Sequence, residues 1–304
     1  MKYSGIGGQA VMEGVMMKSK DRYAVAVRKE NGEIAVTTED YKGITGNHFL
    51  RNCPIIRGVV GFIESLFLGL HTLTLSMYLG EENAREETEE EKQAREKKEK
   101  GEMSVTMCIS ILLAVLIFMM LPYGLSLFFS KIISSHILLA LVEGLIRLAI
   151  FLAYVVAISQ MKDIQRVFMY HGAEHKCINC IEHGMELNVE NVRKSSRQHK
   201  RCGTSLLLFV MVVSILFFAF IDVKNRILRV ALRLLLIPVI AGVSYEFIRL
   251  AGRTENKFVE LLSKPGLLLQ RLTTREPDDS MIEVGIASVE AVFDWRKYQE
   301  EEFK

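Results

Sequence analysis

Long apolar runs separated by short polar segments dominate the chain after residue 100. Val105 to Phe129 holds 25 residues without a charge, enough to cross a bilayer as one helix. Ile137 to Ile158 and Ile227 to Leu250 are of the same kind, and Leu206 to Ile221 is a shorter uncharged run. The pattern predicts four spans in two hairpins, one within 104–159 and one within 205–251. Pro122 and Gly124 should kink the first span near its far end. Residues 54–80 are also apolar, but Arg57, Glu64 and His71 interrupt them, and Val60, Ile63, Phe67 and Leu70 recur at helical spacing. That pattern predicts an interfacial or re-entrant helix, with a further span as the alternative.

Ahead of these runs the period changes to two. AVAVRK and IAVTTE alternate around Asn31-Gly32, the signal of a two-residue type I′ hairpin. Two strands alone are marginal, so the β-element of residues 1–53 is expected to pack on something else. Gly5, Gly7 and Gly8 offer close backbone approach to a partner. A phosphate loop is the weaker reading, because no Lys-Ser/Thr follows them at the required spacing. The tail, 252–304, reads as helices broken at Pro265-Gly266 and at Glu276-Pro277-Asp278, with Asp278-Asp279-Ser280 as an N-cap region. The fold class is therefore a mostly α membrane protein with a small N-terminal β-element and a helical tail.

Charge changes the picture by its distribution. The net charge of +2 over 304 residues gives no field that would attract nucleic acid. Residues 81–102 are almost wholly charged, with pairs such as Glu91 and Arg95 four apart, and read as a solvated helix or linker within 54–103. Lys162, Arg166, Lys176, Arg193, Lys194, Arg197, Lys200 and Arg201 crowd 160–204, whereas the link at 130–136 has only Lys131. The positive-inside rule then puts 160–204 and both termini in the cytoplasm; Lys224, Arg226, Arg229 and Arg233 oppose it. Arg229 and Arg233 are expected to snorkel to an interface. Glu143 and Arg147 share a face of their span and form a structural ion pair, or else line a polar cavity. No apolar leader precedes the first strand, so no cleaved signal peptide is expected.

The chemistry lies in 160–204. His171-Gly-Ala-Glu174-His175 is an H-x-x-E-H pattern, whose histidines share one helical face and could grip one metal ion. Cys177, Cys180, His183, His199 and Cys202 add donors of the kind zinc takes. Two arrangements compete. In the catalytic one, His171 and His175 bind a divalent metal, Glu174 activates water, and Glu246 completes the shell, with Glu255 as second choice. In the structural one, Cys177 and Cys180 close a four-ligand site with His199 and Cys202. A redox C-x-x-C is disfavoured, since no thioredoxin-like βαβ pattern surrounds it. Arg193, Arg197 and Arg201 form a candidate face for anionic lipid or phosphate, or ordinary anchoring at the inner leaflet.

Five segments in one order, GGQAVMEGVMM, YHGAEHK, ENVR with SRQHKRCGTS, YEFIRLAGR and TTREPDD, resemble the YqhQ-like family of bacterial membrane proteins. The likeness covers about Gly5 to Val292. It implies an integral protein of the bacterial cytoplasmic membrane and a metal site at His171, Glu174 and His175, and it names no substrate. The chain departs at Lys200, where the family phrase has Pro, and at Cys177, where Thr is usual, which weakens Cys177 as a ligand. The expectation is a metal-dependent, hydrolase-type membrane enzyme. Its rival is a non-enzymatic accessory or scaffold of a membrane protein complex serving insertion or quality control. A transporter is third, because only Glu143 and Arg147 speak for it.

Overall fold

The computed structural model describes residues 2–41, 43, 53–80, 89–223, 225–254 and 256–303. Glu255, Lys224 and the first part of the charged run, 81–88, lie outside them.

The N-terminal element is larger than a hairpin. Strands β1 (Gly7–Val11), β2 (Gly14–Ser19), β3 (Arg22–Arg28) and β4 (Ile34–Asp40) form an antiparallel meander in sequence order. The turn after β3 is not type I′. Gly32 N–H donates to Lys29 O and Lys29 N–H to Glu33 O, and Gly32 alone takes a left-handed φ of 88°. That is a three-residue loop with a glycine bulge, which suits the right-handed twist equally well. The sheet is covered on both sides, with strict alternation. Val15, Met17 and Ala26 face one core, while Met16, Tyr23, Val25 and Val27 face another.

Helix α1 (Ile56–Gly80) covers the second face with Leu68 and Leu75. Gln9 fastens it by donating to Thr72 Oγ1 at 2.9 Å, and Ser76 Oγ accepts from Met12 N–H. The opposite side of α1 leaves Ile63, Leu66, Phe67, Leu73 and Met77 exposed at helical spacing.

Helix α2 (Glu89–Val115) carries the rest of the charged run straight into the first long apolar stretch. A π-helical turn, Leu116–Met120, joins it to α3 (Leu121–Phe129). Pro122 lacks an N–H, and the widened turn just before it absorbs the lost hydrogen bond. Then come α4 (His136–Ile158), α5 (Lys162–Glu182) and α6 (Val189–Lys194). After them follow α7 (Gly203–Ala219) and α8 (Arg226–Ala251). The tail forms α9 (Lys257–Thr273), α10 (Asp279–Val292) and α11 (Trp295–Glu302). Helix α9 runs through Pro265 rather than breaking there, because Gly266 seats directly on Ser205 of α7. Asp278 caps α10 by accepting from Met281 N–H at 3.0 Å.

Among the described residues four helices are long and apolar enough to cross a membrane: Ile56–Gly80, Ser104–Phe129, His136–Ile158 and Ile227–Ala251. Helix α7 is apolar but shorter, at 17 residues. Arg233 does not snorkel. It is buried, and its Nη1 donates to Glu143 Oε1 at 2.7 Å, the same oxygen that takes Arg147 Nη2 at 2.7 Å. Arg147 also donates to Ser214 Oγ on α7, and the Phe218 ring lies 4.9 Å from both guanidiniums. One carboxylate thus ties α4, α7 and α8 together inside apolar surroundings.

Candidate functional site

The motif segment is a buried helix. From Gly172 to Glu182 every residue of α5 is buried, between the sheet on one side and α10 on the other. A helix covered all round has no apolar stripe, which is why this stretch reads as a polar loop. Two glycines permit the packing. A Cβ on Gly172 would lie 2.1 Å from Arg275 O, and one on Gly8 of β1 would lie 2.9 Å from Glu174 Cγ.

Three side chains of α5 then pin the end of α6 and the extended segment that follows it. His175 Nδ1 bonds Arg197 O at 2.6 Å, Lys176 Nζ donates to Arg193 O and Ser195 O, and Asn179 donates to Ser196 O and Gln198 O. Gln270 of α9 clamps the next residue, accepting from His199 N–H at 2.8 Å and donating to His199 O at 2.7 Å. Held this way, the chain delivers Cys202 to the N-cap of α7.

There Cys202 meets both motif histidines. Cys202 Sγ lies 3.4 Å from His171 Nε2, and the His171 and His175 rings are 4.4 Å apart. One ligand atom from each of His171, His175 and Cys202 lies within 4.8 Å of the others. His171 Nδ1 bonds Thr273 O at 2.8 Å, as His175 Nδ1 bonds Arg197 O. Both imidazoles therefore donate from Nδ1 to a carbonyl, which turns Nε2 towards the centre. Metal-bound histidines are usually oriented this way. Burial pushes the Cys202 thiol up, but the two histidines outweigh it and hold the thiol well below its ordinary range. The start of α7 adds a favourable helix dipole. Burial likewise opposes protonation of His175, yet the Cys202 thiolate and Glu174 raise it to about 9. Glu174 Oε2 lies 3.4 Å from His175 Nε2.

The remaining sequence candidates sit apart from this trio. Glu246 is not a ligand in this arrangement, because Arg57 Nε holds its Oε1 at 2.6 Å at the far end of α8. Cys177 packs against Gly285 of α10, and Cys180 Sγ faces the carbonyls of Met185 and Glu186. The closed site of Cys177, Cys180, His199 and Cys202 is thus not assembled. His199 stands behind His175, with rings 5.8 Å apart, and its Nε2 is 3.4 Å from Glu182 Oε2. His183 is exposed and bonds Asn179 O.

The three arginines do not share an anion face. Arg193 pairs with Asp279, Arg197 with Glu276, and Arg201 with buried Glu182 at 2.5 Å. Burial would raise the Glu182 carboxyl, yet His199, Arg201 and the Ser4 N–H hold it at about 2. Sequence reasoning missed Glu182, Lys176, Asn179 and Gln270. Only the i, i+7 and i+4 spacings of Glu182 and Asn179 from His175 hinted at a common face.

This chain is 36% identical over 289 residues to a protein of Bacillus subtilis (strain 168) described as "Uncharacterized protein YqhQ". The match spans 93% of this chain and 90% of that relative. No solved structure matches. A family described as "Protein of unknown function (DUF1385)" matches residues 53–295, so together with the relative it shows that the chain belongs to the DUF1385, YqhQ-like family.

Proposed function

We propose that the protein is a multi-pass enzyme of the bacterial cytoplasmic membrane with a zinc-type centre held by His171, His175 and Cys202. The convergence of two Nδ1-tethered imidazoles on a stabilised thiolate is the observation that carries this reading. Two nitrogens and one sulfur suit zinc, and three protein ligands leave the open position characteristic of catalytic sites. A metal bound there supplies Lewis acidity and an activated water. Glu174, beside His175, is the base that takes the proton, which makes a hydrolase the best-supported reaction class.

In this proposal α2–α3 with α4, and α7 with α8, form the two membrane hairpins. Helix α1 lies in the interface, because the sheet covers Leu68 to Ser76 and leaves only an apolar stripe for lipid. The motif region and both termini are cytoplasmic.

One observation favours the rival reading. Glu174, His175 and Cys202 are only 4%, 2% and 5% exposed, which also suits a structural metal in a scaffold of a membrane complex. Metal analysis of the purified protein and of His171→Ala, His175→Ala and Cys202→Ser tests the centre. About one ion per chain is expected in the parent and a loss in each variant. Metal content unchanged across all three would overturn the proposal. Glu174→Gln separates the two roles: it should keep the metal and abolish turnover of ester, phosphoester or peptide probes. A metal-loaded parent that turns over none of them, yet co-purifies with membrane proteins, identifies the scaffold.

A further inference from the structure

A cavity of about 700 Å³ opens where the start of α1, the end of α8 and the β2–β3 turn come together. It shares no residue with the His171, His175 and Cys202 centre. Five cations line it, Lys18, Lys20, Arg57, Arg249 and Arg253, against two carboxylates, Asp21 and Glu64. Arg57 is engaged by Glu246, and Lys18 Nζ stands 3.6 Å from the centre of the Tyr41 ring. Among the described residues no carboxylate forms a close ion pair with Lys20, Arg249 or Arg253, although Glu246, held by Arg57, also attracts Arg249, and Arg253 lies over the Tyr3 ring at 5.2 Å. The surplus is positive and shared between ammonium and guanidinium groups, and the planar forks of Arg249 and Arg253 match phosphate oxygens.

The setting points to one source of phosphate. Arg57 and Glu64 line the cavity from the first half of α1, and Tyr245, Arg249 and Arg253 from the end of α8 and just beyond it, where arginine and tyrosine sit at a membrane–water boundary. Their sequence neighbours Ile56, Ile63 and Leu250 are exposed and apolar. We propose that this cavity binds the headgroup of an anionic phospholipid. The phosphodiester lies against Arg249, Arg253 and Lys20, and the acyl chains follow the bare flank of α1 and α8. The proposal rests on the reading that these helix ends meet the bilayer surface, and not on the metal centre.

The test uses full-length protein in a neutral detergent, titrated by calorimetry with dihexanoyl-phosphatidylglycerol, dihexanoyl-phosphatidylcholine and inorganic phosphate. Alkaline extraction of membranes checks integration separately. Saturable phosphatidylglycerol binding is expected, weakened about tenfold or more in Arg249→Gln/Arg253→Gln, since each basic contact is worth roughly a factor of five. Arg271→Gln, which removes one exposed charge on α9, should bind like the parent. If the double variant does not fold, Lys20→Gln on the exposed turn should still weaken binding several-fold. Equal binding by parent and variants overturns the site. Inorganic phosphate or phosphatidylcholine binding as tightly as phosphatidylglycerol overturns the anionic-lipid assignment.

Discussion

The imidazoles of His171 and His175 are oriented by carbonyls from two distant segments, residues 273 and 197. Gly172 sits between them against Arg275 O, so its size matters more than its flexibility. Gly172→Ala is expected to cost about 1–3 kcal/mol, the usual result of overpacking, and to lower metal content by displacing the Thr273 carbonyl. Denaturant unfolding alongside metal analysis reads both effects. Glu182 gives a pH signature. Its carboxyl titrates at 4.5 when unexceptional and at about 2 in the fold. The interaction therefore stabilises fully above about pH 4.5 and is lost as pH falls towards 2, amounting to about 3 kcal/mol. Glu182→Gln should remove that acid sensitivity, so stability at pH 6 relative to pH 3 should change less than in the parent. His171, Glu174 and His175 were legible because their spacing states their geometry. Glu246 was misplaced because the rule for a distant third ligand ignores Arg57, whose pairing only the packing of α1 on α8 creates. Lys176, Asn179 and Gln270 were illegible, since pinning backbone carbonyls leaves no pattern of residue types.

Elements show the same division. The apolar runs of α2–α3, α4 and α8 were readable because length and hydropathy are local properties. Strands β1 and β2 were not, because a sheet covered on both faces loses its alternation between apolar and polar residues. Helix α5 was hidden by burial all round, and α9 crosses Pro265 because tertiary packing overrides a helix breaker. Helix α1 is amphipathic in a way the sequence did show, although its sheet-facing side was invisible. Leu75→Ala should destabilise the α1–sheet layer by about 2–5 kcal/mol. Phe67→Ala, on the exposed stripe, should leave stability in detergent nearly unchanged. Within the apolar helices, Glu143→Gln strands two buried guanidiniums. A loss of about 3–5 kcal/mol is expected from breaking one side of a buried ionic cluster, read from unfolding in detergent.

At the scale of the molecule, a sheet and helices α5 and α10 form a polar-edged body from which the apolar helices extend. The proposed topology is checked by cysteine labelling in intact cells. A cysteine placed at Lys194 should resist an impermeant reagent, whereas one at Lys131 should react. Labelling at Lys194 would reverse the orientation. Helix α7 has a consequence for how the centre meets its surroundings. Its 17 residues reach about 26 Å, several short of the roughly 30 Å hydrocarbon thickness. In the proposed topology the bilayer must thin, or the ends of α7 must be drawn inward, to close the difference. One of those ends is Cys202, whereas His171 and His175 belong to the body outside. In that topology membrane thickness acts as a tension on Cys202 relative to the two histidines of the proposed centre. Drawn away from the two histidines that stabilise its thiolate, Cys202 should accordingly be alkylated more slowly in thick-bilayer nanodiscs than in thin ones.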